Sequence, residues 1–133
     1  MSVFVDTSAL LAVLDRADQD HSAAAAALRS LLAADEDLVT SNYVLVETFA
    51  LVQSRLGLAA VRLLQHDLVP VLRIAWIDEE AHHAAVTALL AASRRRLSLV
   101  DCSSFETMRR SGITRAFAFD GHFPEQGFEL VTA

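Results

Sequence analysis

Val3-Phe4-Val5-Asp6-Thr7-Ser8-Ala9-Leu10 sets three apolar β-formers ahead of an acid, two small hydroxyls and an apolar helical run from Ala9 to Asp15. The order reads as strand, turn, helix. The same alternation continues outward. A second helix is expected from Ser22 to Ala34, where an alanine run gives high helix propensity, then a brief strand at Leu38-Val39-Thr40. Ser41 or Asn42 can cap a helix from Tyr43 to Arg55 that ends at Gly57, and Leu58 to Leu68 reads as a further helix closed by Pro70. Val71 to Ile77 has strand composition, and Asp78 begins an alanine-rich helix to Ser93. Ser98-Leu99-Val100-Asp101 has capping-box spacing, with Asp in place of the usual Glu or Gln, and opens a helix to Gly112. Ala116 to Phe119 and Glu129-Leu130-Val131 read as the last strands. Short apolar strands separated by helices of ten or more residues imply parallel crossovers, hence an α/β fold, a three-layer α/β/α sandwich around a mostly parallel sheet. In such sheets ligands sit beyond the carboxyl ends of the strands, where Asp6 and Asp120 both fall.

With 133 residues and no linker or composition shift, the expectation is one domain over 1–133. A hydrophobic fraction of 53% with 21% charged residues excludes a disordered chain. The start Met1-Ser2-Val3-Phe4-Val5-Asp6 lacks a signal-peptide pattern, no apolar run is long enough for a membrane span, and Cys102 stands alone. A cytoplasmic protein with no membrane association is expected. The net charge of −6 argues at first against nucleic acid as a partner, but acids gathered at one site are compensated by a divalent cation, which can bridge to phosphate. All eleven basic residues are arginine.

Asp6, Glu47, Asp101 and Asp120 differ from the other acids in their apolar neighbours. Burying an unpaired carboxylate costs several kcal/mol, so each needs a partner, a proton or a metal. Taken singly each has a structural reading: Asp6 and Asp120 as turn caps, Asp101 as an acid at a helix start, Glu47 paired with Arg55 or another arginine. Four together exceed the partners available. Oxygen ligands in this number suit magnesium or manganese better than zinc or copper. Of five histidines only His122, directly after Asp120-Gly121, is expected near the site.

Val3 to Leu10, the helix with Asn42 and Glu47, Leu99-Val100-Asp101-Cys102-Ser103-Ser104-Phe105, and Phe119-Asp120-Gly121-His122-Phe123 with Gly127-Phe128 together resemble the PIN-domain nucleases. Among these the chain is most similar to VapC toxins of prokaryotic toxin–antitoxin pairs, over essentially its whole length. The resemblance implies a five-stranded parallel sheet and a Mg2+- or Mn2+-dependent endoribonuclease. It makes Asp6 and Asp101 the main ligands, with Glu47 and Asp120 ligating directly or through water. Thr7 or Ser8, and Ser104 in competition with Ser103, match positions where small hydroxyls support the acids.

The expected chemistry is phosphodiester hydrolysis by water activated at the metal, the four carboxylates acting as ligands first. Arg94-Arg95-Arg96 and Arg109-Arg110 with Arg115 flank Asp101 and are candidate RNA contacts, although a solvated helix end explains the first cluster equally well. A receiver domain and a haloacid-dehalogenase-like phosphatase need a lysine that is absent, and a P-loop needs that lysine and a glycine-rich loop. The remaining alternative is a non-cleaving PIN-like module that binds RNA or protein. The resemblance further implies a VapB-type antitoxin laid into an apolar groove, with Leu10, Leu11 and Leu14 or Phe49 and Val52 either serving it or forming core, and a homodimer in its absence.

Overall fold

The structure is a computed structural model and describes residues 1–132. Its centre is β1, Ser2–Val5, in which Val3, Phe4 and Val5 are all almost fully buried. Successive strand residues point to opposite faces, so burial of all three means the sheet is covered on both sides. β1 pairs in parallel with β2, Asp37–Ser41, and with β4, Arg115–Phe117. Beyond β2 lies β3, Arg73–Ala75, and beyond β4 lies β5, Glu129–Leu130, so the order is β3-β2-β1-β4-β5 and every pairing is parallel.

Seven α-helices join the strands among the described residues: α1, Thr7–Leu14; α2, His21–Ala33; α3, Asn42–Leu56; α4, Leu58–Leu63; α5, Glu79–Ala92; α6, Leu99–Ser111; and the short α7, His122–Glu125. After α2 and α3 carry the chain outward from β1 to β2 and β3, α6 returns it to the other side of β1. The sheet therefore reverses its winding between β1 and β4, and a crevice opens beyond their carboxyl ends.

Three expectations are corrected at their edges. The strand read to Phe119 leaves the ladder after Phe117, because the Phe119 N–H donates to Ser8 Oγ instead of to a neighbouring strand. The strand read as Val71 to Ile77 is confined to Arg73–Ala75: Pro70 lies in a 3-10 turn, Val69–Val71, and the Ile77 N–H is taken by Asn42 Oδ1 at 2.7 Å. The helix read to Leu68 is α-helical only to Leu63, then widens into a π turn, Leu64–Leu68, that seats Leu64 and Leu68 in the core. Leu10, Leu11 and Val52, offered as antitoxin contacts or core, are core, and Leu14 and Phe49 pack against it. No helix is long and apolar enough to cross a membrane among the described residues.

Candidate metal centre

Asp6 is the residue at which β1 stops and α1 starts. Its backbone N–H still donates to Phe117 O of β4 at 3.0 Å, while its side chain caps α1 by accepting the Ser8 N–H on Oδ2 at 3.1 Å. Ser8 Oγ donates to the same oxygen at 2.6 Å. The residue is 5% exposed. Burial pushes its carboxyl up to about 6; the Ser8 hydrogen bonds pull the other way, and the charges of Asp120 and Asp101 add to the rise.

Asp101 is placed by the cap of α6. The Ser98 side chain accepts the Asp101 N–H at 3.0 Å, and Asp101 Oδ2 accepts the Ser98 N–H at 3.0 Å, so the expected capping box is complete even with the shorter acid. Asp120 sits on the loop after β4, its Oδ1 held by the His122 N–H at 2.9 Å. Glu47 projects from the middle of α3. Thr7 Oγ1 lies 3.0 Å from Thr48 Oγ1 and ties the start of α1 to α3 beside it.

All four acids, with Thr7, Ser8, Leu11, Leu51 and Ser98, line one cleft of about 310 Å³. Each aspartate has one oxygen pinned by a backbone N–H two or three residues away. Asp6 Oδ1, Asp101 Oδ1 and Asp120 Oδ2 are left without a hydrogen bond among the described residues. Glu47 has no ion pair there, with Arg55 or any other cation. Converging carboxylates with free oxygens and no counter-charge fit a hard divalent cation. The tightest grouping is Asp101, Asp120 and His122, each with one ligating atom within 4.8 Å of the others.

His122 Nδ1 lies 3.3 Å from Glu125 Oε2, and that same oxygen accepts from Arg94 at 3.0 Å. Those two bonds hold the Glu125 carboxyl below its usual range. Glu125 was not legible as a site neighbour, although its spacing of three from His122 on α7 is the signal that finds it. Ser103 is spent on Val100 O at 2.7 Å, whereas Ser104 Oγ is buried without a partner among the described residues.

The arginines divide. Arg95 and Arg96 are exposed beside Arg94 in the α5–α6 loop. Arg115 is a correction: it begins β4 at the amino end of the sheet, opposite the cleft, and pairs with Glu36 at 3.2 Å. Arg109 and Arg110 lie near the far end of α6, about 12 Å along its axis from Asp101. There Arg109 covers the Phe128 ring and donates to Gln126 at 2.8 Å, and Arg110 pairs with Glu106 at 2.8 Å.

The PIN domain model matches residues 3–129. The chain belongs to the PIN domain family. It is 38% identical over 131 residues to the 23S rRNA-specific endonuclease VapC20 of Mycobacterium tuberculosis, covering 97% of both chains. The crystal structure of M. tuberculosis VapC20, described as a Sarcin-Ricin loop cleaving toxin, matches with a TM-score of 0.83 at 34% identity over 95% of each chain. FitAcB from Neisseria gonorrhoeae shares the PIN-like fold alone, with a TM-score of 0.70 at 17% identity over 98% of this chain and 96% of that one.

Proposed function

We propose that the chain is a divalent-cation-dependent endoribonuclease, the toxin of a toxin–antitoxin pair, acting on RNA through the cleft of Asp6, Glu47, Asp101 and Asp120. The single observation that supports this best is the convergence of these acids, from four separate segments, with one oxygen of each aspartate unengaged. Asp6, Asp101, Asp120 and Glu47 would hold Mg2+ or Mn2+. The chemistry such a cation supplies is Lewis acidity, which activates water near neutral pH and offsets charge growing on the phosphate.

The chain's own residues do the rest. Ser8 fixes one face of the Asp6 carboxylate and anchors the loop that carries Asp120. Ser98 sets the rotation of Asp101. Thr7 and Thr48 hold α3, and with it Glu47, against α1. Arg95 and Arg96 in the adjoining loop would meet RNA phosphates, whereas Arg94, Arg109, Arg110 and Arg115 are already committed to intramolecular partners.

The 23S rRNA named for the relative is the first substrate to try. Purified protein incubated with this RNA and Mg2+ is expected to give discrete fragments, abolished by a chelator and by Asp6→Asn or Asp101→Asn. Cleavage that survives both treatments removes the mechanism. Besides Met1, five large apolar side chains are at least half exposed, Val46, Leu58, Leu63, Trp76 and Leu90, and these are proposed as contacts for a VapB-type antitoxin and a second copy.

A further inference from the structure

Four carboxylates make an all-oxygen site, yet the three groups that approach one another most closely among the described residues are Asp101, Asp120 and a histidine. His122 is half-buried, and its backbone N–H is spent on Asp120 Oδ1 at 2.9 Å, which holds the His122 main chain next to the carboxylate two residues before it. Its Nδ1 faces Glu125 Oε2 at 3.3 Å, and Arg94 donates to that same oxygen at 3.0 Å. A carboxylate on one ring nitrogen fixes the tautomer in which that nitrogen carries the proton and leaves the lone pair on the other. Histidines that ligate metals are oriented in this way: one nitrogen on the ion, the second on a carboxylate.

We infer that His122 is a nitrogen ligand of the cation held by Asp101 and Asp120, with Glu125 and Arg94 as its positioning residues. This rests on the cation-dependent reading above. Imidazole favours transition-metal ions over magnesium, so the site would rank Mn2+ and Co2+ above Mg2+. It also gives Arg94 a task distinct from phosphate contact: releasing Glu125 would loosen the ring.

The test is electron spin-echo spectroscopy of the wild-type protein loaded with Mn2+, with Mn2+ and Mg2+ affinities measured by calorimetry. Expected are nitrogen modulation on the manganese signal, its loss in His122→Ala, and a Mn2+-to-Mg2+ affinity ratio that drops about tenfold in His122→Ala and less in Glu125→Ala. Modulation lost in His122→Ala while Mn2+ still binds assigns the nitrogen to this ring and not to another histidine. Mn2+ bound to the wild type without nitrogen modulation overturns the inference and leaves the nuclease assignment standing. No Mn2+ binding at all overturns both, and Mn2+ that binds Asp101→Asn as tightly as the wild type places the ion elsewhere and does the same.

Discussion

Ser8 and Asp6 are joined twice on one oxygen: the Ser8 hydroxyl donates to Asp6 Oδ2 at 2.6 Å and the Ser8 N–H to the same atom at 3.1 Å. The hydroxyl also accepts the Phe119 N–H at 3.0 Å, so a single oxygen links the acid after β1 to the strand end before Asp120. Ser8→Ala deletes one bond to a charged group and leaves a backbone donor unpaired. About 2 kcal/mol of stability is expected to be lost, read by urea unfolding, together with a large fall in RNA cleavage. An unchanged cleavage rate would show that the bridge does not hold the cleft together.

The raised pKa of Asp6 makes a pH prediction for the cation-free protein. In the unfolded chain the group titrates near 3.8 and in the native state near 6, so the native state binds the proton more tightly. Its contribution is fully present below about pH 4 and is lost as pH rises to about 6, an upper bound of about 3 kcal/mol. Chelated protein should lose stability across that window, and Asp6→Asn should flatten the curve. Thermal unfolding at several pH values checks the sign.

Cation binding must reverse that slope. Below about pH 6 the ion competes with a proton on Asp6, so affinity should fall steeply there and binding should release a proton. Calorimetry in two buffers of different ionisation enthalpy measures the number released. None released at pH 5.5 would contradict Asp6 as a ligand.

Ser98→Ala removes the cap of α6, at about 1 kcal/mol, and frees the Asp101 side chain from its box. Cation affinity should drop by more than the stability loss accounts for. Equal losses would make Ser98 a helix cap and nothing further.

Arg95→Ala and Arg96→Ala should weaken RNA binding and each lower the salt dependence by close to one charge, read as the slope of log affinity against log salt. Arg115→Ala should leave that slope unchanged and cost stability instead, since its partner is Glu36. The opposite pattern would mean that RNA crosses the amino side of the sheet.

What was legible in the sequence is what short stretches encode. Val3 to Ala9 already contains a buried strand, its stop and a helix cap, and Ser98 to Asp101 contains its own reciprocal hydrogen bonds. The alternation of elements gave the parallel sheet, and the sheet's rule for ligands pointed to Asp6 and Asp120. Long-range pairing was not legible. Arg115 looked like a phosphate contact because it follows Arg109 and Arg110, and only the paired strands bring it to Glu36, 79 residues away. The surroundings of His122 were not legible for the same reason: Asp101 comes from another helix, and Arg94, from another loop, reaches it only through Glu125. The π turn at Leu64 to Leu68 has the composition of an ordinary helix and differs from one in its i→i+5 hydrogen bonding.

Asp6 follows β1 and Asp120 follows β4, so the two acids come together only when β4 docks beside β1. The four-acid cleft therefore cannot assemble until the strand that precedes Asp120 has been made and has paired. On the proposed function, a partly made chain would hold no complete acidic cleft. A chain truncated before Arg115 should bind no cation and cleave nothing, and a truncated chain that still cuts would show that β4 and Asp120 are dispensable to the site.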